Sequence, residues 1–299
     1  MAASEDGKRA WSGRSDGLPW MIRSLVALLK VVDRHFIYAV MALVVPFYML
    51  FSHKGYLASY RFFRQRLGYG PLKSFFHVYG NHFCFGKIII DRYAAYAGKK
   101  FRLINSDPDY FAELMRKEGG FVQLSSHAGS FEMTGYLLTS TKPVNGLVYA
   151  GETEVMMNYR SAIMGRHNIH LIRMDGSMTA LFEMNAALNR GEVVSMTGDR
   201  LFGSNKGVKC RFFGEDALFP AGPFSLAAQK EVPLLTVFNM RERGGAYKLY
   251  EYRLEVDASL PARQRIQVMA QEFADRLEEV VRKYPHQWFN YYDFWKMPQ

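Results

Sequence analysis

The chain has 299 residues, 49% of them apolar and 15% aromatic, and its 38 Lys and Arg outweigh 28 Asp and Glu for a formal net charge of +10. That length and apolar content support one large domain or two small ones with a sizeable core, and exclude an intrinsically disordered chain. Its two cysteines, Cys84 and Cys210, stand far apart without metal-ligand spacing, which excludes a disulfide framework and suits a reducing compartment.

Residues 1–19 are polar, with Gly, Ser and Arg, and read as a disordered leader. Residues 20–84 read as a membrane-associated helical segment. No Asp or Glu occurs between Arg34 and Lys87, and the sixteen residues Phe36 to Phe51 carry no charge. Behind them, Lys54, Arg61, Arg64, Arg66 and Lys73 alternate with Tyr56, Tyr60, Phe62, Phe63, Phe75, Phe76 and Tyr79. Basic residues interleaved with aromatics beside an apolar run fit an anionic membrane surface, and no nucleic-acid-binding module is recognisable. Sixteen residues of helix reach about 24 Å, short of the ~30 Å hydrocarbon core. Pro46 interrupts the run, and basic residues flank both ends. A tilted or re-entrant anchor is therefore favoured over a full span, with a buried helix of the soluble domain as the alternative.

From residue 85 the pattern alternates. A helix is expected from Asp107 to Glu118, with Ser106 or Asp107 as cap and Pro108 in its first turn. The apolar run Phe121-Val122-Gln123-Leu124 predicts a buried strand, and Phe131 onward a helix. Strands are expected at Val144 to Ala150, Ile169 to Met174 and Glu192 to Thr197, with helices at Thr153 to His167 and Ser177 to Asn189 between them. Phe212 to Pro223 reads as a loop entering a helix at Gly222 to Lys230. Strands at Leu234 to Met240 and Tyr247 to Glu255 follow, around the turn Arg243-Gly244-Gly245. A final helix from Arg263 to Lys283 carries Ile266, Met269, Phe273, Leu277 and Val280 on one face. The alternation predicts an α/β domain over 85–299, a mixed and mostly parallel sheet flanked by helices.

The chemistry concentrates at His127-Ala128-Gly129-Ser130-Phe131-Glu132, where a predicted strand ends in small residues and opens a helix. Such turns lie at the sheet edge where α/β proteins place their ligands. A histidine there, with a carboxylate one helical turn on, makes His127 a candidate general base and Glu132 its candidate orienting acid. The spacing alone is weak, since 8 histidines and 28 acids in 299 residues give such pairs by chance about 0.75 times. His170 and Asp175 repeat it along an apparent strand, where roughly 16 Å would part them.

Gly198-Asp199-Arg200 ends a second strand at the same predicted edge, so Arg200 could offer its guanidinium to a phosphate or carboxylate, with Asp199 positioning it or meeting an acceptor. A surface turn with a local ion pair explains the motif equally well. Arg160 and Arg166, on the helix after Ala150, could add positive charge to the same pocket or stand in solvent. Ser125 and Ser126 are disfavoured as nucleophiles, and no P-loop, Ser-His-Asp order or zinc spacing is present. Seven aromatics fall within the thirteen residues Tyr284 to Lys296, as a tail docked on the core or bordering an acyl groove.

Taken in order, these motifs resemble the bacterial lipid A biosynthesis acyltransferases, within the lysophospholipid acyltransferase superfamily. The likeness rests on the basic, apolar anchor, on His127 with four residues and then Glu132, and on Gly198-Asp199-Arg200. It continues through Phe213-Gly214, Phe219-Pro220 and Gly222-Pro223, and ends at Tyr284-Pro285-His286-Gln287-Trp288-Phe289 with Trp295-Lys296. It spans most of residues 20 to 296. Asp-Arg stands where the family usually has Asp-Gln-Asp, and Ser130-Phe131 where Asn-Trp often precedes the acid. The tail is similar to a branch linked with aryl polyene pigments.

The resemblance implies transfer of a fatty acyl group from acyl carrier protein or coenzyme A to a hydroxyl of a lipid A-like glycolipid or related envelope lipid. His127 and Glu132 would be catalytic, and Ser130, Arg160, Asp199, Arg200, Phe213 and Gly222 would bind substrate. No metal and no bound cofactor is expected. The implied partners are an anionic membrane, an acyl carrier protein and the lipid acceptor, at the cytoplasmic face of a bacterial inner membrane. Acylation of an aryl polyene or aminolipid, lipid binding without turnover, and thioester hydrolysis are the alternatives.

Overall fold

A computed structural model describes residues 19–51, 53–105, 109–149, 160–161, 164–174, 177–201 and 207–296. The expected leader up to residue 18, the cap at Ser106 or Asp107, most of the helix expected from Thr153, and Asp175 lie outside the described residues. The described chain opens with α1 (Pro19–Val31), α2 (Arg34–Phe51) and α3 (His53–Arg61). A π-helical turn over Phe62–Arg66 leads into α4 (Pro71–Tyr96), which starts on Pro71, a residue whose fixed φ suits a first helical position.

Pro46 does not interrupt the apolar run: it lies inside α2. Proline has no N–H for the carbonyl four residues back, Ala42 O, and Tyr79 Oη of α4 donates to that oxygen instead, at 3.1 Å. α2 buries Tyr38, Val45 and Met49 and leaves Phe36, Val40, Leu43, Val44, Phe47, Leu50 and Phe51 exposed. Among the described residues it is the one helix long and apolar enough to cross a membrane. Gly86 of α4 admits the Met41 side chain, which a Cβ would strike.

The sheet strands are β1 (Leu103–Asn105), β2 (Phe121–Ser125), β3 (Val144–Tyr149), β4 (Ile169–Met174) and β5 (Val193–Thr197), then β8 (Leu234–Arg241) and β9 (Tyr247–Leu254). A separate antiparallel hairpin joins β6 (Gly207–Phe212) to β7 (Glu215–Pro220). The seven strands lie in the order β1-β9-β8-β2-β5-β3-β4. From β4 to β8 all neighbours are parallel, β9 pairs antiparallel with β8, and β1 lies parallel to β9. The sheet is therefore mixed and mostly parallel, as expected. Central β2 is buried at every residue, which accounts for its unbroken apolar run.

The remaining helices are α5 (Tyr110–Arg116), α6 (Phe131–Leu137), α7 (Thr179–Asn189), α8 (Gly222–Lys230) and α9 (Ala262–Lys283). On one sheet face Val122, Leu124 and Phe238 pack with Phe224 of α8 and Phe273 and Leu277 of α9. On the other, Phe121, Val193, Leu235 and Val237 pack with Phe111 and Leu114 of α5. Successive strand residues thus serve opposite layers.

Three expectations change. α5 starts later than predicted because Asp109 is its cap, accepting the Ala112 N–H at 3.0 Å. Phe212 to Pro223 is the hairpin turn and β7 rather than a loop: Phe213 and Gly214 take φ of 51° and 79°, the left-handed pair of a two-residue hairpin turn. Val208, Cys210 and Phe212 face the core, and Gln267 and Gln271 of α9 cover the outer edge, bonding Lys209 O and both backbone groups of Arg211. Finally, α4 runs through the expected boundary at residues 84 and 85. Asp91 of α4, fully buried, accepts from Arg241 Nε at 2.7 Å, Tyr247 Oη at 2.9 Å and Tyr38 Oη, and so ties α2 to β8 and β9. A buried carboxylate is tolerated with such a set of partners.

Candidate active site

β2 and β5 are adjacent and parallel, with Ser125 opposite Thr197. The chain leaving each strand therefore emerges on the same edge, and two residues further on His127 and Asp199 meet. His127 Nδ1 lies 2.7 Å from Asp199 Oδ1, and the His127 backbone N–H donates to Oδ2 at 2.8 Å. A neutral ring that donates from Nδ1 keeps its lone pair on Nε2. Gly198 permits the approach, because a Cβ there would press on the Leu124 side chain at 2.9 Å.

The turn after His127 is pinned on both sides. Ser126 Oγ accepts the Ala128 N–H at 3.0 Å, and the Ser130 N–H donates to Asn239 O of β8 at 2.8 Å. Gly129 has φ of +69°, and a Cβ there would overlap Asn239 O. From the other side comes a strap, residues 285–292. Gly129 N–H donates to Gln287 O at 2.7 Å, Phe289 N–H donates to His127 O at 3.0 Å, and Ala128 bridges Trp288. The Gln287 side chain pins the strap to β8, accepting from Arg241 N–H at 2.9 Å and donating to Arg241 O at 2.8 Å. Asn81 of α4 donates to His286 O and Trp288 O. Trp288 Nε1 donates to Asp199 Oδ2 at 3.4 Å.

Burial lowers the His127 pKa below 6.5; facing Asp199 works against that and neighbouring Arg200 adds to it. Burial would raise Asp199, but the charge of His127, its hydrogen bonds and Arg200 hold the carboxyl below 3.8. The pair is thus a neutral imidazole on an ionised carboxylate at neutral pH.

Glu132 does not orient the ring. Its Oε2 accepts from Arg92 Nη1 at 2.9 Å and its Oε1 from Arg160 Nη2 at 2.8 Å. Burial would raise its pKa, but Arg160 and Arg92 outweigh that and keep it low. His127 instead meets Phe131 edge-on, ring centres 5.8 Å apart. The one-turn spacing thus places Glu132 in a cross-link from α6 to α4 and to Arg160. Arg166 stands exposed.

The structure also places the other expected residues. Arg200 Nη2 donates to Phe289 O at 2.8 Å and stands over the Tyr292 ring, so the guanidinium helps to hold the strap. Ser130 is buried and acts through its backbone, with no side-chain cap to α6. Phe213 lies at the hairpin tip against Phe62 and Trp295, and Gly222 opens α8; among the described residues neither bonds to His127 or Asp199. The aromatic tail is docked on the core, with Trp288 against Phe62, Phe212 and Phe294. Sequence reasoning missed Arg92, which nothing in its stretch of α4 marks, and did not single out Gln287 as the strap's pin.

A model of the family described as bacterial lipid A biosynthesis acyltransferase matches residues 94–297, a span that includes His127, Glu132, Asp199 and the strap. The chain is also similar to the 1-acyl-sn-glycerophosphate acyltransferase PlsC of Thermotoga maritima, whose crystal structure aligns at 15% identity over 88% of this chain and 98% of that one, with a TM-score of 0.39. No curated protein sequence matches the chain.

Proposed function

Because the chain belongs to the bacterial lipid A biosynthesis acyltransferase family, and is an acyltransferase, we propose that it moves a fatty acyl group from an acyl thioester to a lipid hydroxyl, with His127 as general base and Asp199 as its partner. The acceptor hydroxyl gives its proton to Nε2 of His127 as its oxygen attacks the thioester carbonyl carbon. The tetrahedral intermediate then collapses, the C–S bond breaks, and the proton on Nε2 passes to the departing sulfur. The products are an ester and a free carrier thiol. Asp199 fixes the tautomer and balances the imidazolium formed midway, and base catalysis of this kind contributes about 10² to 10⁴ in rate.

The observation that carries this reading is the 2.7 Å contact of His127 with Asp199, made where two adjacent strands end. Glu132 serves the same site indirectly by setting the start of α6 between Arg92 and Arg160. The donor is acyl carrier protein or coenzyme A, used as co-substrate, and the chain's positive charge suits an acidic carrier protein. The exposed apolar face of α2 and the basic residues after it support work at an anionic membrane, on the cytoplasmic side of a bacterial inner membrane. A lipid A-like glycolipid or another envelope lipid is the acceptor.

Mass spectrometry of envelope lipids tests the reading in cells carrying the wild-type chain, His127→Ala or no chain. An ester present only with the wild type supports it and identifies acyl chain and acceptor by mass. Identical profiles in all three overturn it.

A further inference from the structure

The turn joining α1 to α2 and the turn joining α4 to β1 meet around a cavity of about 160 Å³, lined by Leu29, Asp33, Arg34, His35, Lys99 and Lys100. Lys99 Nζ donates to Lys30 O at 3.4 Å, and the Arg34 guanidinium lies over the Phe101 ring, 4.5 Å from its centre. Gly245 makes room for that guanidinium, where a Cβ would strike Nη2 at 2.9 Å. The Arg34 side chain is only 20% exposed, and its Nε stands 3.9 Å from Asp91 Oδ1, beyond hydrogen-bond reach. Asp91 already accepts from Arg241, Tyr247 and Tyr38. Arg34 is therefore held in place by packing, with its charge only partly met.

Around the cavity three cations, Arg34, Lys99 and Lys100, outnumber one carboxylate. That carboxylate is engaged: Asp33 Oδ1 accepts the His35 backbone N–H and meets the ring Nδ1, both at 2.7 Å. Such a surplus suits an anion, and a phosphate takes both the point charge of lysine and the fork of arginine. One water needs about 10–15 Å³ of such space, so a tetrahedral phosphate fits. Position indicates what carries the phosphate. β1 starts at Leu103 opposite Tyr247, where β9 turns back from the end of β8. Because β8 runs parallel to β2, Lys99 and Lys100 stand at the same sheet edge as His127. From the cavity α2 leads away with Phe36, Val40, Leu43, Val44 and Phe47 exposed as one stripe. That stripe rises about 16 Å, close to one leaflet's share of the ~30 Å hydrocarbon core.

We propose that this cavity binds the phosphate of an anionic phospholipid whose acyl chains lie along the α2 stripe. The lipid is a resident one that fixes the corner of α1, α2 and α4 at the membrane surface, and not the acyl acceptor. A buried cluster, Asp91 with Arg241 and Tyr247, comes between the cavity and the strap beside His127. The proposal rests on the reading of work at an anionic membrane and gives that membrane a binding site on the chain.

The site is tested without turnover by calorimetric titration of the full chain, held in an uncharged maltoside detergent, with short-chain phosphatidylglycerol. Saturable binding of one lipid per chain is expected. Lys99→Gln with Lys100→Gln is expected to weaken it about tenfold, the equivalent of 1.4 kcal/mol. Lys99→Arg with Lys100→Arg should keep the wild-type affinity, as should Lys54→Gln with Lys73→Gln, which removes equal charge elsewhere. No saturable binding, or equal weakening by the two Gln pairs, overturns the proposal. Inorganic phosphate that binds as tightly as the lipid overturns the lipid assignment and leaves a site for free phosphate. Sedimentation with vesicles of phosphatidylcholine and phosphatidylglycerol in equal parts checks the membrane reading separately. A wild type that stays in solution overturns that reading, while the titration still decides the site.

Discussion

His127 donates both its ring Nδ1–H and its backbone N–H to one carboxylate, Asp199, at 2.7 and 2.8 Å. The two bonds take different oxygens, so the carboxylate is fixed in its plane and the ring is fixed against it. Replacing Asp199 by Asn keeps the shape but leaves one acceptor oxygen where the ring Nδ1–H and the backbone N–H each need one, and an amide NH2 turned to Nδ1 favours the wrong tautomer. Asp199→Asn is expected to lower kcat by about 10² to 10⁴ with little change in thermal stability, measured by acyl transfer and by calorimetry on the same preparations.

Glu132 predicts a different pattern. Removing its charge takes one carboxylate from Arg92 and Arg160, whose side chains are 21% and 12% exposed, and breaking such a pair costs about 3–5 kcal/mol when fully buried. Partial solvation reduces that figure here. Glu132→Gln is therefore expected to lower the thermal midpoint by several degrees, and to affect catalysis through the position of α6. Arg92→Met combined with Glu132→Gln should recover part of the loss, since the double change removes the Arg92 charge that Glu132 balanced. No recovery in the double variant would show that Glu132 acts by another route.

The pH profile follows from the same geometry. A base must be neutral, and burial holds His127 below 6.5, so activity is expected to rise with an acid limb centred below 6.5 and to level above it. A limb above 6.5 would contradict the assignment. Stability moves in the same direction. His127, which burial holds below 6.5, and His286, which burial above all brings down to about 4, both bind protons more readily unfolded than folded. Their contribution is present above the unfolded value of 6.5 and is lost as pH falls through their folded values. Thermal midpoints are expected to drop between pH 7 and pH 4.

The strap offers a fourth check. Gln287→Leu leaves the Arg241 N–H and C=O without partners, each loss worth about 1–3 kcal/mol, and loosens the segment that bonds Gly129 and His127. Reduced activity together with faster amide exchange at Gly129 and Phe289 is the expected outcome.

How much of this was legible in the chain depended on distance along it. β4 and α8 run over the predicted residues because their patterns are local: a short segment carrying Ile169, Leu171, Ile172 and Met174, and a helix opened by Gly222-Pro223. His127 was legible too, since strand, small-residue turn and helix follow one another in sequence. Asp199 was legible only as a second strand end at the same edge; its pairing with the ring was not, because it is 72 residues away and the pairing comes from β2 lying beside β5, an adjacency no single strand encodes. The one-turn spacing drew attention to Glu132, whose actual partners come from α4 and from Arg160. The β6–β7 hairpin was missed although Val208, Cys210 and Phe212 alternate with Lys209 and Arg211, because the glycines and prolines after it read as loop signals.

The central claim is that Asp199, and not Glu132, supports His127 as the base. The most direct test is single-turnover ester formation from an acyl thioester and envelope lipid extract, comparing wild type, Asp199→Asn and Glu132→Gln at a temperature where all three are folded. The account predicts that Asp199→Asn slows the ester-forming step by at least about 10², with Glu132→Gln clearly less affected. Asp199→Asn forming ester at the wild-type rate would contradict it.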